Sequence, residues 1–175
     1  MLSVKHLIDT YSLTADDITQ ILDTAASFES VNNRAIKKVP ALRGRTIVNL
    51  FLEPSTRTKS SFELAEKRLS ADSLSMGGST SSVVKGESLA DTIQTISAMN
   101  VDMFVCRAKL AGTPQRITEN TDAVVINAGD GKHQHPTQAM LDLYTIRKNF
   151  GHLDGLKVAI VGDLAHSRVC GSLAP

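Results

Sequence analysis

Residues 53–58 read Glu-Pro-Ser-Thr-Arg-Thr and directly follow the apolar run Ile47-Val48-Asn49-Leu50-Phe51-Leu52. A helical pattern begins at once afterwards. Ser55, Thr56, Arg57 and Thr58 therefore occupy the joint between a strand and a helix. The first turn of a helix carries unpaired N–H groups and the positive end of the helix dipole, and anions bind there readily. The hydroxyls add donors, and the Arg57 guanidinium adds a fork that suits phosphate. Each hydrogen bond to a charged group contributes ~1.5–3 kcal/mol, so three or four would hold a small phosphate compound at about the micromolar level. Taken by themselves, the four residues also fit plain helix capping with a solvated arginine.

Further cations follow other apolar runs. Lys85 lies in GGSTSSVVKGE after a short run near 72–76, and Arg107 directly follows 101–106. His135 lies in GDGKHQHPTQ after 123–127, and Arg168 in GDLAHSR after 156–161. In an open parallel sheet, ligands bind beyond the carboxyl ends of the strands. That rule places Arg57, Lys85, Arg107, His135 and Arg168 on one rim. Singly, Lys85 and Arg107 also read as surface charges, and His135, just before Pro136, as a helix cap. His133 and His135 form an H-x-H pair without an accompanying set of Cys or acidic ligands, so no metal is expected.

The elements that must carry these residues are legible in outline. Thr14 opens a first helix, with Asp17 three residues on in a capping-box spacing; Ile18, Ile21, Leu22, Ala25 and Phe28 mark its apolar face. Strands are expected at 46–52, 72–76, 101–106, 123–127 and 156–161. Helices are expected at about 57–70, burying Phe62, Ala65 and Leu69; after Ser88 and Asp91, with Leu89, Ile93, Ile96 and Met99; at Thr113-Pro114; and from Pro136 to about 149. The methionines read as core. Short apolar strands alternating with helices predict an α/β fold: a parallel sheet with helices on both faces.

Composition narrows the function classes. The 175 residues are 42% hydrophobic and 21% charged, with a formal net charge of +1. No global field attracts nucleic acid or a membrane surface, and aromatic content of 4% without tryptophan argues against base stacking. No run approaches the ~20 apolar residues of a membrane helix, and the start lacks a signal-peptide core. The two cysteines, Cys106 and Cys170, fit reduced thiols in a cytoplasmic protein.

The segments FLEPSTRTKSSFE, SSVVKGESLADT, Arg107 after its strand, INAGDGKHQHPTQAMLDLYT and VAIVGDLAHSR occur in that order. As a set they resemble the catalytic chains of the aspartate carbamoyltransferase family. STRT and HPTQ are shared with ornithine carbamoyltransferases, whereas Glu53-Pro54 and Lys85-Gly86-Glu87 favour the aspartate type. The resemblance implies transfer of the carbamoyl group from carbamoyl phosphate to the amine of L-aspartate, an early step of pyrimidine synthesis, without cofactor or metal. It implies that Ser55, Thr56, Arg57 and Thr58 hold the phosphate, and that Thr58, Arg107 and His135 face the carbonyl oxygen. Gln138 would contact the carbamoyl amide and Arg168 the aspartate. Ser81, with Ser82 as the alternative, and Lys85 would enter the site of a neighbouring protomer in a homotrimer. A regulatory or dihydroorotase-like partner chain is compatible with the family. Donors aimed at the carbonyl oxygen act as an oxyanion hole, each lowering the barrier by ~3–4 kcal/mol.

The family pattern divides the chain into a carbamoyl-phosphate domain, 1–150, and the incomplete start of an aspartate-binding domain, 151–175. On this reading the chain is expected to be a fragment with one half-site and little turnover. The alternatives are a non-catalytic carbamoyltransferase-like assembly or phosphate-binding module, and an ornithine-type carbamoyltransferase.

Overall fold

The computed structural model describes residues 1–77 and 88–174. Ser81, Ser82 and Lys85 lie outside the described residues. Helix α1, Ala15–Glu29, starts at a complete capping box, with Thr14 accepting from the Asp17 amide and the Asp17 carboxylate accepting from Thr14. A 3₁₀ turn, Ser30–Asn33, follows. Strand β1, Thr46–Phe51, leads into α2, Thr56–Leu69, and then β2, Asp72–Gly77. Next come α3, Leu89–Ser97; β3, Met103–Ala108; α4, Thr113–Thr118; β4, Val124–Asp130; α5, Pro136–Phe150; and α6, Arg168–Leu173.

The four strands form one parallel sheet in the order β2-β1-β3-β4. Successive side chains of a strand point to opposite faces, which sorts the core into two layers. Val48, Leu50, Phe104, Cys106 and Val125 pack with Ile93 and Ile117 of α3 and α4. Ile47, Phe51, Val105 and Ala128 pack on the opposite face with Phe62 of α2. Both faces are covered, as the expected fold class requires, and α5 also contacts β4.

The order reverses between β1 and β3. From β1 the chain crosses to β2 on one side, then returns to place β3 on the other. The helices leaving β1 and β3 therefore diverge, and a crevice opens at the carboxyl ends of these two strands.

Four expectations fail. Residues 156–161 form no strand of the sheet; Val158, Ile160 and Val161 are exposed. A strand needs a partner ladder, and among the described residues none is offered to this run. On α2, Ala65 is exposed and Glu66 takes the buried position. The Asn49 amide in the middle of β1 donates to Glu66 Oε2 at 2.7 Å, so polar pairing overrides the apolar pattern there. Ala25 and Met99 also face solvent. Among the described residues no helix is long and apolar enough to cross a membrane.

Candidate active site

β1 ends beside Glu53-Pro54, and α2 begins one residue after Ser55. Ser55 has extended backbone angles suited to an N-cap, yet its hydroxyl makes no capping hydrogen bond. The Ser55 carbonyl accepts from the Lys59 amide, so the helix is established, and its first-turn N–H groups have no carbonyl within the helix to pair with. Arg57 is exposed and Thr58 partly buried. The plain capping role for Ser55 is thus not the one the structure shows.

The crevice at the strand reversal is an open cavity of about 760 Å³. Ser55, Arg57, Thr58, Arg107, His135, Gln138 and Arg168 line it together. Thr56 is exposed on the same helical turn but is not part of the lining. Ser81 and Lys85 fall outside the described residues. Arg107 belongs to β3 rather than following it, because the strand runs two residues further than its apolar core.

Arg107 is held from three directions. Its Nη1 donates to the Ala128 carbonyl at 3.1 Å and lies 3.4 Å from Thr58 Oγ1. Its Nε lies 2.8 Å from Glu53 Oε1. Arg168 Nη1 donates to the same Glu53 oxygen at 2.9 Å. One carboxylate therefore bridges two guanidinium groups. Burial lowers the Arg107 pKa, Arg168 lowers it further and Glu53 opposes both; an arginine remains cationic in such a setting. Gly129 makes room for the pair, since a Cβ there would lie 2.8 Å from Arg168 Nη1 and 3.1 Å from Arg107 Nη1.

His135 sits at the start of α5 and is 7% exposed. Burial, then the charges of Arg107 and Arg168, push its pKa down to about 4. The imidazole is neutral near pH 7. Its Nδ1 lies 3.3 Å from Thr137 Oγ1. In the tautomer in which Nδ1 accepts that hydroxyl, Nε2 carries the N–H donor. His133 diverges from it and pairs with the buried Asp130 at 3.1 Å.

The last described helix closes one side of the site. Ser172 Oγ accepts from the His135 amide at 2.7 Å and donates to Gln134 Oε1 at 2.7 Å. Gln134 Nε2 donates to the Gly171 carbonyl at 2.9 Å. A Cβ on Gly171 would meet the His133 carbonyl oxygen at 2.6 Å, so glycine permits this docking. Gln138 donates to Asp142 Oδ1 at 2.9 Å across one helical turn.

Sequence reasoning passed over Glu53, Gly129, Gln134 and Ser172 as site residues. Glu53 had a signal, being the one acid beside the STRT joint. The other three had none, because their roles depend on which segments touch.

A parallel α/β domain with a cation-lined crevice at its strand reversal, and a helix N-terminus opening into it, defines a class of anion-binding domains. The chain matches the family model "Aspartate/ornithine carbamoyltransferase, carbamoyl-P binding domain" over residues 5–148 and belongs to that family. It is 55% identical over 168 residues to the aspartate carbamoyltransferase catalytic subunit of Syntrophotalea carbinolica, covering 96% of this chain and 54% of the relative. Among solved structures, the catalytic subunit of M. jannaschii aspartate transcarbamoylase superposes with a TM-score of 0.89 at 44% identity, over 98% of this chain and 56% of that one. The Trypanosoma cruzi aspartate transcarbamoylase, solved with carbamoyl phosphate and aspartate, superposes with a TM-score of 0.92 at 33% identity, over 99% and 54%. The chain thus spans about half the length of the relatives it matches.

Proposed function

We propose that the crevice binds carbamoyl phosphate and serves transfer of its carbamoyl group to the amine of L-aspartate. The observation that carries this reading is the convergence of the first turn of α2, Arg107 and neutral His135 on one cavity. The phosphate of the substrate lies against Ser55, Arg57 and Thr58, with Thr56 contributing through its amide on the same turn, where amides, hydroxyls and a guanidinium meet a helix dipole. The carbonyl oxygen faces Thr58, Arg107 and His135.

When the aspartate amine attacks the carbamoyl carbon, negative charge grows on that oxygen. An arginine and a neutral imidazole N–H stabilise it without transferring a proton to it. The carbon–oxygen bond to phosphate then breaks, and the departing phosphate accepts the amine proton. Gln138 holds the carbamoyl amide. Arg168, oriented by Glu53, faces the aspartate carboxylates. In this reading 1–150 is the carbamoyl-phosphate domain and 151–175 begins the aspartate-binding one. Ser81 and Lys85 complete the site of a neighbouring copy in a homotrimer.

Arg57→Ala tests the phosphate assignment. It removes the exposed fork and touches nothing in the core, so the melting temperature is expected to hold. Affinity for phosphonoacetamide, a stable carbamoyl phosphate analogue, is expected to fall by about 10- to 100-fold, the worth of one or two charge-assisted bonds. Unchanged affinity by calorimetry overturns the assignment.

A further inference from the structure

We infer that Asn127 is a positioning residue for Arg107, acting through a bulge in β4; this rests on the carbamoyl-phosphate reading of the site. The register between β3 and β4 pairs Cys106 with Asn127 but Ala108 with Asp130. One residue of β3, Arg107, thus faces two of β4, Ala128 and Gly129. Such a bulge leaves a carbonyl outside the ladder and re-aims the side chain opposite. Here the freed carbonyl is that of Ala128, and it accepts from Arg107 Nη1 at 3.1 Å.

The Asn127 side chain spans the bulge. Asn127 is fully buried. Its Oδ1 accepts the Gly129 amide at 2.8 Å, a local turn that fixes the Ala128 and Gly129 peptides. Its Nδ2 donates to Asp130 Oδ1 at 2.9 Å, beyond the bulge, and to the Ile8 carbonyl at 2.8 Å. The Asn127 amide donates to the Leu7 carbonyl at 2.8 Å, so the N-terminal segment braces the same point. Gly129 has a φ of +112°, and a Cβ there would collide with both guanidinium groups, so any side chain at this point of the bulge would displace them. Asn127 touches no substrate in this arrangement. It decides where the Ala128 carbonyl points, and hence where Arg107 is aimed.

The test compares methylphosphonate with phosphonoacetamide, which adds a carbonyl group, on the 175-residue chain. The parent is expected to prefer phosphonoacetamide, and Arg107→Ala to lose most of the preference. Asn127→Ala is expected to reduce the preference about tenfold, less than full loss of a donor, while leaving methylphosphonate affinity unchanged. Asn127→Ser keeps an acceptor for the Gly129 amide and is expected to fall between; it carries the test if the alanine variant does not fold. A preference lost with Arg107 but intact in both Asn127 variants overturns the inference alone. Equal weakening of both ligands also overturns it, because Asn127 would then be a general structural residue. A parent without preference, or an Arg107→Ala variant that keeps it, overturns the site reading itself.

Discussion

His135 shows how the surroundings choose a protonation state. An ordinary histidine is partly charged near neutrality, but burial beside Arg107 and Arg168 holds this one neutral down to about pH 4. The unfolded chain takes up the proton near pH 6.5, so it binds more protons than the folded chain between pH 6.5 and about 4. Stability is therefore full above pH 6.5 and declines as pH falls through that window, by up to ~3 kcal/mol from this group. His135→Gln, uncharged throughout, should flatten that part of the stability profile measured by urea unfolding. A bound dianion adds negative charge beside the arginines, so phosphonoacetamide should raise the His135 pKa. NMR titration of the imidazole checks this, and an unmoved midpoint would place the anion elsewhere.

At the scale of elements, α2 is anchored by a polar pair rather than by apolar contacts alone. Asn49 Nδ2 donates to Glu66 Oε2, while Asn49 Oδ1 and Glu66 Oε1 are buried without partners among the described residues. Glu66→Gln keeps the acceptor and replaces an orphan oxygen by donors. It should raise stability by about 1 kcal/mol in denaturant titration, the typical net worth of one hydrogen bond. Docking of α6 is more fragile. Gly171→Ala places a methyl 2.6 Å from the His133 carbonyl, so the helix must move and the Ser172 link to the His135 amide is lost. Hydrogen exchange should show the His135 amide losing protection while β3 keeps its own. Protection retained at His135 would mean that α6 shifts as a unit without letting go.

The whole-molecule prediction concerns assembly. If Ser81 and Lys85 act in a neighbour's site, the chain sediments as three copies of 18.8 kDa. Arg57→Ala and Lys85→Ala chains, each deficient in binding phosphonoacetamide, should then regain binding when mixed after dissociation. A mixed trimer can draw both intact residues into one site from different chains. A monomer in sedimentation, or mixtures no better than the separate variants, would count against shared sites.

Local chemistry in the sequence determined a great deal: the alternation of strand and helix, the capping box at Thr14, and the placing of Arg57, Arg107 and His135 at strand ends; Arg168 lines the same crevice from a helix start with no strand before it. These follow from side-chain periodicity and turn chemistry, which act over a few residues. The strand expected at 156–161 went wrong for the opposite reason, because an apolar run becomes a strand only beside a partner. The burial expected of Ala65 went wrong because Glu66 takes the buried position instead, and that depends on Asn49, 17 positions away. Only the tertiary structure decided that Glu53 bridges two arginines, that Gly129 and Gly171 mark close approaches, and that a bulge at Ala128–Gly129 steers Arg107. Each of those facts depends on contacts between segments far apart in the chain, and residue type alone does not encode distance.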